Sequence, residues 1–135
     1  MRVQARRYAR IALRSAAAIL VLVCGGERAR AAGDAAKGEH AFARQCAICH
    51  TVDRGGPNRF GPNLFGVLHR KAGTVAGFDY SRAFKTTATW DWNEDLVAGW
   101  IAAPGQMVPG TAMGIFQGVA QIDRDDIVAY LATRQ

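Results

Sequence analysis

Cys46-Ala47-Ile48-Cys49-His50 is the stretch of this 135-residue chain whose residue types and spacing point most directly to chemistry. Two thiols separated by two residues lie on one helical turn, where they can add across a pair of haem vinyl groups. The histidine beside the second thiol then meets the iron from the same side, and C-x-x-C-H is read as c-type haem attachment. Other uses of C-x-x-C fit less well. A closed zinc site needs four ligands, usually with a second close pair of Cys or His, and the only later histidine is His69. A thioredoxin-type motif belongs to a βαβ pattern, and no such pattern surrounds this one.

A covalent haem needs a compartment in which it can be attached. Arg2, Arg6, Arg7, Arg10 and Arg14 form a basic lead, an apolar run follows from Ala16 to Val23, and Ala29-Arg30-Ala31 offers a small-x-small cleavage site. This is the layout of a secretory signal peptide. The run falls well short of the ~20 apolar residues that span a bilayer. A signal peptide over 1–31, cleaved after about Ala31, is therefore expected, with one domain over 32–135 and a periplasmic location. No stable membrane insertion is expected after cleavage. Cys24 leaves with the leader, and Val23 before it does not suit a lipid-anchoring site. The Arg6-Arg7 pair is too common in basic leaders to specify a twin-arginine signal.

Removing the leader changes the charge. Residues 1–31 hold seven of the 17 basic residues and one of the 11 acidic residues, which leaves ten of each in 32–135. The net charge of +6 and pI of about 9.8 describe the whole chain, whereas the domain is formally neutral. A nucleic-acid partner argued from basicity loses its support.

The elements that must position the motif can be read in order. Asp34 is a candidate N-cap, and Ala35, Gly38, Phe42 and Cys46 share one face of a first helix. Gly38 costs ~1 kcal/mol in a helix relative to Ala, which a close helix crossing would offset. His40 reads as a solvated residue. Three Gly, two Pro and two Asn between Thr51 and Leu64 rule out a regular element there. Phe60, Leu64, Phe65, Val67 and Leu68 nevertheless call for a surface to pack on. Ser81–Lys85 suits one short helix. A second long helix starts at the cap Asn93 with Glu94 and Asp95 at its positive end, buries Leu96, Val97, Trp100 and Ile101, and stops at Pro104-Gly105. A loop continues to about Gln121. A last helix begins at Asp123, with Ile127, Tyr130 and Leu131 as its apolar stripe. The prediction is an all-α domain of three main helices, short helices and long loops, too sparse to enclose a core easily by itself. A buried haem fills that gap.

The opposite side of the haem also needs a ligand. His40 is too near the attachment site, and spacing does not choose between Met107 and Met113. The stretches GDAAKGEHAFARQCAICHTVDRGG, GPNLFGVLHRKAG, GFDYS, VPGTAM and DDIVAYL, in that order, resemble the small soluble class I cytochromes c over residues 33–134. The resemblance implies the cytochrome c fold around one haem c linked through Cys46 and Cys49, with His50 as proximal and Met113 as distal ligand. It implies that Pro62 accepts the His50 N–H, that Tyr80 and Trp92 hydrogen-bond a propionate with Arg70 nearby, and that Thr111 lies on the distal loop. Trp90 competes with Trp92, whose distances to Trp100 and Pro104 match the family better. Met107 falls at a packing position.

A His/Met pair raises the haem potential and leaves no open coordination site. The implied role is thus one-electron carriage, without catalysis, by a monomer. Its partners would be a donor dehydrogenase or cytochrome complex and an acceptor oxidase or reductase. Two alternatives remain: a haem enzyme or sensor of peroxidase-like type in which Met113 dissociates, or a fixed subunit of a larger complex. Several positions depart from the family. Trp100 replaces a tyrosine whose hydroxyl can reach the methionine sulfur, His69 replaces a loop glycine, and Phe84 falls near a usual asparagine. Gln45, Gly105, Gln106 and Ala112 stand where lysines ring the haem edge, while Arg59 stays basic.

Overall fold

A computed structural model describes residues 33–135, and the expected leader over 1–31 lies outside them. Five α-helices occur among the described residues, α1 (Ala35–Gln45), α2 (Arg82–Thr87), α3 (Glu94–Ala102), α4 (Pro104–Met107) and α5 (Gln121–Ala132), with a 3-10 turn at Ala112–Ile115. The domain is all-α. An isolated antiparallel bridge joins Lys71 to Asp91.

The first helix starts where its cap chemistry places it. The Asp34 carboxylate accepts from the Ala36 and Lys37 amides at 2.9 and 3.2 Å. The Lys37 amide bond leads the effects that hold this carboxyl below its ordinary pKa. Asp34 also donates its own amide to the Asp126 carboxylate at 2.7 Å, so the cap ties α1 to α5. These two helices form the most extensive helix pair. Gly38 sits at their crossing, where a Cβ would overlap the Asp126 carbonyl and lie 2.8 Å from Tyr130 Cβ. One turn further, Phe42 meets Tyr130 with ring centroids 5.6 Å apart. At the far end of α1, Gln45 Nε2 donates to Asp123 at 2.8 Å and Arg44 lies 3.8 Å from the same carboxylate.

Asp123 therefore does not open the last helix. Helix α5 begins two residues earlier, after Ala120, without a side-chain cap. The Asp123 carboxylate is engaged by α1 instead. The loop expected after Pro104 also differs. Ala103, at φ −158° and ψ 73°, breaks α3, and Pro104 then starts α4. Proline fits there because its missing N–H would be unpaired in a first turn anyway. On α3 the expected stripe is buried at Val97, Trp100 and Ile101, with Leu96 half-buried.

The loop over 51–64 is ordered by its own polar groups. Thr51 donates to the Pro57 carbonyl at 2.7 Å, and Asn63 Nδ2 donates to Thr51 Oγ1 at 2.6 Å and to the Asp53 carbonyl at 3.0 Å. Val67 and Leu68 are buried as their apolarity requires. Phe60 is not buried. Arg59 donates its amide to the Gly61 carbonyl, closing the chain tightly around Phe60 and leaving its ring exposed. His69 takes the one positive φ among described non-glycine residues, 67°, where the resembled family has glycine. Its amide and that of Trp92 join 69–72 to 90–92, through bonds to the Trp92 and Arg70 carbonyls at 2.6 and 2.9 Å.

The Gly38 crossing makes a direct prediction. Gly38→Ala gains helix propensity but forces α1 off the Asp126 backbone, and overpacking of that kind costs ~1–3 kcal/mol before any propensity gain. Urea denaturation of the holoprotein should show a lowered midpoint, with a net loss of up to about 2 kcal/mol. An unchanged or raised midpoint would mean that the helices are not in close contact there.

Candidate functional site

Between α1, α3, α5 and the loops lies an interior cavity of about 200 Å³ that widens into a crevice of about 1270 Å³ when its open mouth is counted. A concave, mostly apolar space with a few converging polar groups is the form that ligand sites take. All ten residues singled out from the sequence border it: Cys46, Cys49, His50, Pro62, Arg70, Tyr80, Trp92, Trp100, Thr111 and Met113. His40, His69, Trp90 and Met107 do not.

One wall is built by the turn that follows α1. The amides of Cys49 and His50 both donate to the Cys46 carbonyl, at 3.0 and 2.9 Å, which holds the two cysteines on one turn. Their sulfurs are unbridged. Burial, reinforced by Cys49, pushes the Cys46 thiol up to about 12, so this sulfur is uncharged at neutral pH. No group of three His, Cys, Asp or Glu among the described residues is arranged to hold a metal ion.

His50 is fixed in one tautomer. Its Nδ1 lies 2.8 Å from the Pro62 carbonyl. A carbonyl only accepts, so Nδ1 carries the proton. Burial lowers the imidazole pKa, partly offset by the Pro62 bond, and favours the neutral ring. Nε2 is then left with its lone pair. Gly61 makes this placement possible, because a Cβ there would overlap His50 Cε1 and come within 2.6 Å of both ring nitrogens. The Gly61 amide also donates to the Cys49 carbonyl at 2.8 Å. Sequence reasoning did not single out Gly61. Its only local signal is glycine immediately before Pro62, since the contact reaches back to His50.

The opposite wall comes from α3 and the loop after α4. Trp100 Nε1 donates to the Met113 sulfur at 3.0 Å, so the indole N–H does reach the thioether. Met107 is turned elsewhere: its sulfur lies 3.5 Å from where a Cβ on Gly99 would stand. Thr111 is buried on the same loop.

The remaining polar groups sit along the edge. Arg70 donates to the Phe65 and Asn63 carbonyls at 2.9 and 3.1 Å. Burial lowers its pKa, with Tyr80 opposing. Burial likewise raises the Tyr80 phenol, which keeps its proton, while its oxygen accepts from the Val75 amide at 3.4 Å. Trp92 borders the cavity. Trp90 packs edge-on behind it, 5.6 Å between centroids, with its own indole N–H buried and without a partner. Phe84, at the expected asparagine position, lies within 5.1–6.4 Å of Tyr80, Trp90, Trp92 and Trp100. These rings form one aromatic cluster. Two thiols, a neutral imidazole and an oriented thioether around an apolar crevice match the donor set of a covalently attached haem.

Comparison with known proteins agrees with this geometry. The family model described as Cytochrome c matches residues 35–135. Cytochrome c of Gossypium barbadense is 43% identical over 100 residues, covering 73% of this chain and 88% of the relative. Cytochrome c of Nigella damascena is 42% identical over 101 residues, covering 74% and 89%. That of Gibberella zeae is 41% identical over 102 residues, covering 75% and 94%. The chain belongs to the cytochrome c family, whose members are electron carriers and not enzymes, and haem c attached through Cys46 and Cys49 is its cofactor.

Proposed function

We propose that this chain is an exported, periplasmic carrier that moves single electrons between a donor dehydrogenase or cytochrome complex and an acceptor oxidase or reductase. His50 and Met113 serve as the two axial ligands. The observation that carries the reading is the pair of opposed hydrogen bonds, His50 to the Pro62 carbonyl at 2.8 Å and Trp100 to the Met113 sulfur at 3.0 Å. Each orients a donor atom at one wall of the same crevice. Bound haem supplies a one-electron Fe(III)/Fe(II) couple.

Around that couple the residues act by position and polarity. The Pro62 carbonyl fixes the imidazole plane and raises its donor strength, as outer partners of metal-bound histidines do. The Trp100 N–H draws electron density from the thioether and holds its orientation. Phe84, Trp92 and Ile101 are buried against the crevice and keep water from its walls. Tyr80, Trp92 and Arg70 are assigned to the propionate edge. The leader over 1–31 delivers the chain to the compartment of attachment, and the mature domain begins at about residue 32.

The alternative of an enzyme or sensor requires Met113 to leave, and the Trp100 bond opposes that. Carbon monoxide mixing with the reduced protein decides between them. Slow or absent binding at neutral pH is expected, and rapid binding would favour the alternative. Trp100→Phe keeps the aromatic packing and removes the N–H. Because that donor disfavours the oxidised state, its loss should lower the midpoint potential by about 40 mV, the equivalent of one hydrogen bond of ~1 kcal/mol. Faster carbon monoxide binding should accompany it, whereas an unchanged potential and binding rate would remove Trp100 from the account. N-terminal sequencing of the exported holoprotein should begin close to Ala32, and a start at Met1 would support an anchored subunit instead.

A further inference from the structure

Four large apolar residues are strongly exposed among the described residues: Ile48 at 75%, Phe60 at 87%, Ile115 at 86% and Ile122 at 81%. They are not scattered. Phe60 and Ile115 border the crevice. Ile48 lies between the two attachment cysteines. Ile122 precedes Asp123, whose carboxylate is bound by Gln45, the residue before Cys46. Isolated exposed hydrophobics need no explanation, but large ones gathered at one opening point to an interaction site.

The charged side chains nearest this group are few, of both signs, and bonded within the chain. Arg59 donates from its guanidinium to the Ala47 carbonyl at 2.6 Å, and Asp123 is shared by Gln45 and Arg44. Gln45, Ala112 and Ile115 are uncharged. Among the described residues that line the crevice, Arg70 is the one charged side chain, and its nitrogens are bonded to backbone carbonyls.

We infer that the crevice mouth is an apolar docking face for a redox protein whose own cofactor-bearing face is apolar and poor in charge. This rests on the carrier reading, because an electron carrier must bring its cofactor edge against its partner's, and exposed Phe60 and Ile115 border the opening. Four side chains present on the order of 400 Å², at about 100 Å² each. That falls short of the ~800 Å² per partner of a stable interface and suits a transient electron-transfer encounter. A second copy seated here would be too weakly held to form a lasting dimer.

The test uses stopped-flow electron exchange of the holoprotein with two small copper redox proteins, one with an apolar, uncharged copper-proximal face and one with an acidic face. Exchange with hexaammineruthenium, together with the midpoint potential, reports on the carrier function itself. Failure of those two controls overturns the carrier reading, and only their success makes the docking result decisive. The apolar-faced protein should react faster, with less than about twofold change in rate between about 10 and 500 mM ionic strength. Combining Ile48→Ser, Phe60→Ser and Ile115→Ser should lower the ratio of protein to hexaammineruthenium rates by about fivefold or more. Each exposed position should show part of that loss singly, and Ile122→Ser should show it with an unchanged potential. Faster reaction with the acidic-faced protein, a steep fall with salt, or an unaltered ratio in all four single variants would overturn the proposal. So would a dimer in sedimentation, or binding to phosphatidylcholine–phosphatidylglycerol vesicles, that these substitutions abolish.

Discussion

The rest of the structure depends on an apolar space that the polypeptide does not fill. Apolar walls left against water forfeit about 25 cal/mol for every Å², a deficit that weighs against the ~5–15 kcal/mol that stabilises a whole domain. The three longer helices do not close this space by themselves: α3 packs against α5, and the ring cluster around Phe84 and the loops complete the walls. A tetrapyrrole of the right shape converts that deficit into buried contact. Covalent attachment at Cys46 and Cys49 keeps it in place in both oxidation states.

Fold and site then share the same restraints. The Asp34 cap, the Gly38 crossing and the Gln45–Asp123 bond lock α1 against α5. That lock positions the turn from which Cys46, Cys49 and His50 face the crevice. Gly61 admits the imidazole, and Pro62 orients it. The short pairing of 69–72 with 90–92 sets Arg70 and Trp92 beside one another along one edge. On the far side, α3 carries Trp100 to the Met113 sulfur. The helix crossing and the wall that carries Cys46, Cys49 and His50 therefore share the same packing restraints.

The attachment motif was legible because its chemistry is local: five consecutive residues carry it. Caps at Asp34 and Asn93 were legible for the same reason. Which methionine borders the crevice was not, since α4 sets Met107 towards Gly99 while Met113 lines the space, and spacing contains no such information. Family resemblance supplied the choice. The start of α5 was misplaced because Asp123, a good cap by type, is used by α1. Pro104 reads as a stop but also opens a new turn. Phe60 was expected to bury by composition, yet the Arg59–Gly61 turn exposes it. Gly61 escaped notice because its constraint is an imidazole eleven positions back in the chain, and long-range contacts leave no periodic trace.

Comparing the holoprotein with the same domain carrying Cys46→Ala and Cys49→Ala, expressed without haem, tests the dependence on the filled crevice most directly. Hydrogen exchange of the α1 and α5 amides is the measurement. The account predicts that protection across the Gly38 crossing is largely lost without haem and that thermal unfolding loses its cooperativity. Equal protection and an equally sharp transition in the haem-free domain would contradict it, showing that the helices hold the crevice open unaided.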